Sequence, residues 1–529
     1  MADLFRAYQV NKVKIPTYLI ESSAPINVDD APSSPGKLPP QLTPLDAVAA
    51  IDEIAGHLKN AASPNLVVMV HGFNNPQAAA LPWFARASAA IEADSYLANR
   101  PGLVCVGYRW PSEGMGEPLR GTIAALPTLL RWVLGIGLFL LGLLVGYALL
   151  RLTGLIQLEG RLALTAFFLG LVAVALVGTF IAATVLRAIV YFRDGHRAAH
   201  YGAADLIEII RQIDHAIMQN GGPSKGKNSV ELSFIGHSMG GFVVTNAIRS
   251  LSDLFAVGAV KPNINAGVDT QGFDTILPKL GNAFLLKRFV LASPDIPAEA
   301  LLSNRANYLA ASLHRFHEAY LFSNEGDEVL RQISTTVNFF SFPTRSWTHG
   351  YRLGNVEILS RDYGLINIRP SQLLETLRVG HYTVKELYQK LKSAHKEQVQ
   401  ERLPEVFSYF DCTDYIDTDD RKRVCGLLTF AKRTKQNDPS ARIRGLTHLR
   451  LLFAAYVFPG KPNVHGGYFE GQLCQRLIFR LACLGAEGAV AAFNGLDQLS
   501  RECKDKQIRM LLSAKIRPLV DKTALPAGG

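Results

Sequence analysis

FIGHSMGGFVV, residues 234–244, places Ser238 between Gly236 and Gly240 directly after SVELS. A G-x-S-x-G pentapeptide is short enough to arise by chance, so its surroundings must decide what the serine does. The chemistry of a serine nucleophile asks for a strand that runs into a tight turn and a helix that leaves it at once. Val230, Leu232, Phe234 and Ile235 make a short apolar run suited to a strand, and MGGFVVTNAIRSL, 239–251, carries apolar residues at helical spacing. Gly236 and Gly240 let strand and helix approach closely around the turn. The alternative for Ser238 is a small residue at an ordinary strand–helix turn, and that reading leaves the upstream His71-Gly72 unexplained.

Working outward, the chain alternates strand and helix patterns. VKIPTYLIES (13–22) reads as a strand and leads into the proline-rich APSSPGKLPPQLTP; 48–60 reads as a helix. NLVVMV (65–70) suits a strand buried on both faces, followed by HGFNNP and a helix through 95. Further strands are expected at 103–110, 284–295, 317–322 and 408–416, and further helices at 196–219, 297–313 and 471–484. Such alternation predicts an α/β fold, a mostly parallel sheet covered by helices on both faces.

The 529 residues allow one enlarged domain or two. Mean hydropathy is +0.12, and the apolar excess is local: neither 132–150 nor 162–186 contains a charged residue. About 20 such residues cross a bilayer, and only the short LTGLIQLEG, between Arg151 and Arg161, joins the two runs, so they read as a two-helix transmembrane hairpin; the alternative is a pair of buried helices in an apolar cap. Arg120, Arg131, Arg187, Arg193 and Arg197 sit around the outer ends of the hairpin, against Arg151, Arg161 and Glu159 on its loop side, which puts both long flanks in the cytoplasm. The amino terminus lacks the basic start and apolar core of a secretory signal. The net charge of +10 comes without a basic, aromatic-interleaved stripe. Anionic headgroups would account for the charge as well as a nucleic acid would, and no nucleic acid is expected. The six cysteines are scattered, and HRFHE (314–318) lacks metalloprotease spacing, so neither a metal nor a cofactor is implied.

VVMVHGFNN, VGYRWPS, FIGHSMGGFVV, FVLASPDI and LFSNEGDEVL together resemble successive landmarks of the α/β-hydrolases. More narrowly, they are similar to a poorly characterised bacterial group with V-H-G-F-N-N, W-P-S and H-S-M-G-G motifs. The resemblance covers about 65–112 and 193–330 and is thin beyond. It says nothing of the hairpin; taken together with the apolar runs, the chain reads as an N-terminal strand and connector (1–46), the first hydrolase part (47–120), the inserted hairpin (121–192) and the second hydrolase part with the elbow (193–330). An insertion or cap region (331–460) comes next, then a segment holding a catalytic histidine loop, a closing helix and a tail (461–529).

The family order of a triad is serine, acid, histidine. Ser238 is the expected nucleophile. Asp327, which the resemblance places in the turn after the family's seventh strand, is favoured as the acid, with Asp295 and Glu325 as alternatives; a helix N-cap is its other possible role. His465, in the loop VFPGKPNVHGG and followed by a Y-F pair, is favoured as the base, with His349 and His381 as alternatives and His448 read as a core or lipid-adjacent residue. Met239 and Phe73, with Gly72 close behind, are expected to donate backbone N–H groups to an oxyanion. His71, Asn74, Asn75, Tyr108, Trp110 and His237 are candidate supports for that loop or the pocket. The chemistry expected is hydrolysis of a carboxylic ester, with an apolar or lipid ester favoured by a membrane location. The bilayer is the expected partner, multi-pass insertion in a bacterial inner membrane the expected location, and homo-oligomerisation stays open. A non-catalytic membrane scaffold on the same fold is the alternative.

Overall fold

The computed structural model describes residues 4–25, 36–112, 189–219, 229–251, 283–297, 315–334, 352–355, 407–419, 421–427, 463–513 and 516–523, with a few isolated positions between them. The chain divides into two units, 1–112 with 195–529, and 113–194. The hairpin, at 121–192, falls almost wholly outside the described residues, as does most of 331–460.

The first unit is centred on a sheet built from the apolar runs. β1 (Phe5–Val10), β2 (Thr17–Ser22), β3 (Leu42–Leu45), β4 (Asn65–Val70), β5 (Leu103–Arg109), β6 (Val230–His237), β7 (Phe284–Ala292), β8 (Glu318–Ser323), β9 (Phe407–Asp411) and β12 (Arg509–Leu511) form one sheet in the order β12-β9-β8-β7-β6-β4-β5-β2-β1-β3. Every pairing from β2 through β9 is parallel, while β1, β3 and β12 add antiparallel edges. All residues of β4 and β5 are buried, as expected of strands covered on both faces. β10 (Ile416–Thr418) and β11 (Val424–Gly426) form a separate hairpin.

Helices supply the cover. α1 (Ala47–Lys59) begins at Asp46, whose side chain accepts from Val48 and Ala49 N–H groups. α1, α4 (Ala203–Gln219) and α5 (Met239–Ser250) pack as one group, and α4 turns Leu206, Ile209, Ile210, Ile213 and Ile217 inward at helical spacing. α2 (Gln77–Ala93) and the short α3 (Ser95–Ala98) pack with α6 (Gln472–Ala492), which also lies against β6 and β7. α7 (Leu496–Asp505) and α8 (Arg517–Thr523) come after it. α6 is two helical stretches joined at Gly485, whose φ of 76° and ψ of −178° are non-helical, so the first stretch stops where the helix expected over 471–484 does. There the chain passes beside Arg288 and Glu318, leaving no room for a side chain.

This is an arrangement of the α/β-hydrolase type. Its chain order also explains where a site can form. β4 has β5 on one side and β6 on the other, so the strand order reverses at β4 and opens a crevice at the carboxyl ends. Among the described residues no single helix is long and apolar enough to cross a membrane. α6 and α7 meet that test only as a pair bent by 98°. The apolar side chains of α6, Leu477, Ile478 and Leu481 among them, are already buried in the protein core.

Candidate active site

The crevice gathers the turns that leave β4, β6, β7 and β8. β6 ends at His237, and Ser238 takes φ 54°, ψ −125° before α5 begins, a strained backbone that lifts the residue out of both elements. The turn is held from three sides. The Ser238 N–H donates to the Ala292 carbonyl (3.0 Å), and the Ser238 carbonyl accepts from Gly241 (3.1 Å) and Asp295 (3.0 Å) N–H groups. A methyl on Gly236 would fall 2.6 Å from Gly241 Cα, and one on Gly240 would strike the Val70 carbonyl, so helix and strands close this tightly only with glycine at both positions.

His465 lies beside this turn. Its Nε2 is 2.8 Å from Ser238 Oγ, and its Nδ1 is 2.7 Å from Asp327 Oδ2. Neutral imidazole donates from one nitrogen and accepts at the other. A carboxylate on Nδ1 fixes the proton there and leaves the Nε2 lone pair facing the serine hydroxyl. Ser238, His465 and Asp327 thus stand as the Ser–His–Asp triad of a serine hydrolase. Burial works against the imidazolium of His465, but the Asp327 charge and hydrogen bond, with a smaller contribution from Asp295, outweigh it and raise its pKa above the ordinary value.

Asp327 is fully buried and does two jobs. Oδ2 serves the histidine, while Oδ1 accepts from the Leu330 N–H at 3.1 Å and caps the turn beyond it. The contact to the histidine and the capping contact expected of this residue are both present in its geometry. Two supporting residues were not foreseen. Ser293, at φ 47° in the turn after β7, donates its hydroxyl to Asp327 Oδ2. Asn324 donates from Nδ2 to the Val464 carbonyl at 2.7 Å, tying the acid turn to the histidine loop, while its Oδ1 accepts from Gly326 N–H. Both partnerships span long sequence separations, and only the strand order could have hinted at them.

Several expectations are corrected by these contacts. Asp295 does not face the histidine nitrogen; it pairs with Arg352 at 2.8 Å and accepts from Ser334 Oγ. Glu325 accepts instead from the Ile443 N–H at 3.3 Å. Tyr108 and Trp110 are wholly buried, which removes them from the pocket wall. The Tyr108 hydroxyl donates to the Gly202 carbonyl, and Trp110 Nε1 donates to the His71 carbonyl (2.9 Å each). His349, His381 and His448 lie outside the described residues.

The loop after β4 lies against the serine: a methyl on Gly72 would stand 2.6 Å from Ser238 Cβ. Asn75 shapes it by donating from Nδ2 to the Gly72 and Phe73 carbonyls, and its own N–H reaches Ser112 Oγ. Asn74 takes φ 59°. His71 stacks on Trp110 with ring centroids 5.3 Å apart, and its Nδ1 meets the Gly72 carbonyl at 2.8 Å. Burial, then the Arg109 charge, lowers its pKa to about 3, so it stays neutral. His237 is likewise held neutral at about 3, by burial and then by His465, and its Nε2 meets the His465 carbonyl at 3.1 Å. It steadies the base and does not compete with it. Met239 opens α5, where first-turn N–H groups have no acceptor within the helix.

A cleft of about 1140 Å³ opens over this centre. Phe73, Asn74, His237 and His465 line its inner end, with Trp83 and Phe469 packed edge to face at 5.2 Å. Polar groups such as Gln475 and Arg476 line it as well. Among the described residues no group of histidine, cysteine or acidic side chains could hold a metal ion. No protein-family model matches the chain, and no curated protein or solved structure matches it either.

Proposed function

We propose that the protein is a membrane-anchored carboxylic ester hydrolase working through an acyl-enzyme on Ser238. One observation carries this reading: a single imidazole, that of His465, bridges Ser238 Oγ and the buried Asp327 carboxylate at 2.8 and 2.7 Å. Ser238 Oγ attacks the ester carbonyl while His465 Nε2 takes its proton. The carbonyl oxygen becomes an oxyanion, received by the N–H groups of Met239 and of Phe73 or Gly72. Asp327 stabilises the imidazolium. His465 then returns the proton to the leaving alcohol as the C–O bond breaks, leaving an acyl-serine. Water, deprotonated by the same nitrogen, adds to the acyl carbonyl, and Ser238 leaves with the proton.

The substrate assigned is an apolar or lipid ester, consistent with the aromatic wall of Trp83 and Phe469 beside the histidine. The uncharged runs 132–150 and 162–186 are assigned as the anchor, with the hydrolase unit cytoplasmic. The VHGFNN, WPS and HSMGG segments support placing the chain with the bacterial hydrolase group they resemble. The completed serine–histidine–carboxylate bridge disfavours a purely scaffolding role.

A fluorophosphonate reagent should label the protein, and Ser238→Ala should remove the label together with hydrolysis of a nitrophenyl ester. Labelling of the variant at another residue would end the assignment. Deleting 123–192 and bridging the ends should release the protein from salt-washed membranes; if it still sediments with lipid, the anchor lies elsewhere.

A further inference from the structure

Behind the triad lies a buried ion pair that the acyl-transfer steps do not use. Asp295 and Arg352 are both about 3% exposed, and Arg352 Nε stands 2.8 Å from Asp295 Oδ1. The two atoms meet off the N–H axis, so their attraction is one of charge more than of direction. The pair joins two backbones. On one side, the Asp295 N–H donates to the Ser238 carbonyl at 3.0 Å, directly behind the nucleophile. On the other, Arg352 begins a short segment, 352–355, that is stitched to both acid-side turns. Leu353 N–H donates to Ile296, Gly354 N–H donates to Pro294, and Asn324 N–H donates to Gly354, at 2.9, 3.0 and 2.9 Å. Gly354 is pressed so close to Ser293 and Leu330 that any side chain would displace them. The segment therefore touches the serine turn through Asp295 and the acid turn through Asn324.

We propose that Asp295 and Arg352 are positioning residues: they clasp the Ser238 and Asp327 turns to each other and hold a balanced pair of charges beside His465. This rests on the triad reading of Ser238, His465 and Asp327. The charged or titratable groups described around His465 are Asp327 on the β8 turn, Asp295 with Arg352 behind the β7 turn, His237 from β6 and Tyr468 on its own segment. Burial keeps His237 and Tyr468 neutral. Asp327 and Asp295 are the carboxylates that act on His465, and Arg352 is the cation in contact with Asp295. Removing either member of the clasp leaves the other's charge unbalanced near the base. A purely structural pair would behave differently: loss of either member would reduce the folded fraction without moving the pH at which the remaining enzyme turns on.

The test is the acid limb of the kcat/KM pH profile for a short-chain nitrophenyl ester, whose apparent pKa does not depend on the fraction of active protein. Asp295→Asn should move the limb down and Arg352→Met should move it up, each by about one pH unit. The double variant and Arg352→Lys should both return it close to the starting value. Single variants that keep the original limb, or that shift it in the same direction, would overturn the clasp. So would an Asp295→Asn chain that cannot be obtained folded, because the proposal requires the backbone contacts to survive loss of one charge. If Ser238→Ala retains hydrolysis, the triad reading itself has failed; unshifted limbs in an enzyme that depends on Ser238 fail the clasp alone.

Discussion

The turns after β6 and β7 are near twins with different duties. Each puts a buried serine in the left-handed region, Ser238 at φ 54° and Ser293 at φ 47°, at the carboxyl end of neighbouring parallel strands. Each hydroxyl reaches the His465–Asp327 pair. Ser238 meets Nε2 at 2.8 Å, whereas Ser293 donates to Asp327 and stands 3.5 Å from Nδ1. Nδ1 is already committed to the carboxylate, so no lone pair there can take a proton from Ser293. The residues after each serine also differ. Ser238 runs straight into α5, whose first N–H groups point out of the helix start, while Ser293 precedes Pro294, which has no N–H to offer an oxyanion. Backbone strain alone therefore does not mark a nucleophile. The nitrogen it faces does.

The contrast breaks most visibly at the shared carboxylate. Asp327→Asn should cost about 10⁴-fold in kcat, since the amide no longer enforces the Nδ1–H tautomer or stabilises the imidazolium. The same change has a signed effect on pH. His465 must be deprotonated to act, and with Asp327 its pKa is raised, so activity in the native enzyme fades as pH falls through a value above the usual imidazole range. Without the Asp327 charge, burial is left to dominate, and the acid limb should move to lower pH. A limb that stays in place, measured on the residual activity, would mean that another carboxylate orients the histidine.

Local sequence disclosed the Ser238 turn because its determinants are contiguous: the β6 run, two glycines and the α5 periodicity sit within residues 230–250. The acid needed one more step, counting strands to reach the turn after β8. The histidine loop was harder. Asp327 and His465 are 138 positions apart, and the intervening chain contributes β9 and the β10–β11 hairpin before the loop returns. Contacts such as Asn324 with Val464 join polar groups that carry no pattern of their own. The antiparallel strands β1, β3 and β12 carry weak signals, being short or interrupted by proline and charge, as Leu42–Leu45 (LTPL) shows. Asp295 sits in the sequence where an acid could sit; only its partner Arg352, 57 residues on, gives it another task.

The smallest change sharpens the comparison furthest, because it removes one serine hydroxyl and leaves the other. Ser293→Ala deletes a donor to Asp327 Oδ2, while the Nδ1 contact to the same oxygen and the Leu330 N–H contact to Oδ1 remain. A hydrogen bond to a charged group contributes about 1.5–3 kcal/mol, but the carboxylate keeps its other donors, so the lower end applies, a loss of about tenfold in kcat/KM. With one donor fewer, Asp327 is a stronger acceptor for His465, so the acid limb should rise slightly, opposite to the shift expected for Asp327→Asn. Fluorophosphonate labelling at Ser238 should persist at a slower rate. Complete loss of labelling in Ser293→Ala, with Ser238 intact and the protein folded by circular dichroism, would reverse the roles given to the two turns. A rate unchanged within twofold would instead show that Asp327 is oriented by His465 and its backbone donor alone, leaving Ser293 a packing residue at a strained turn.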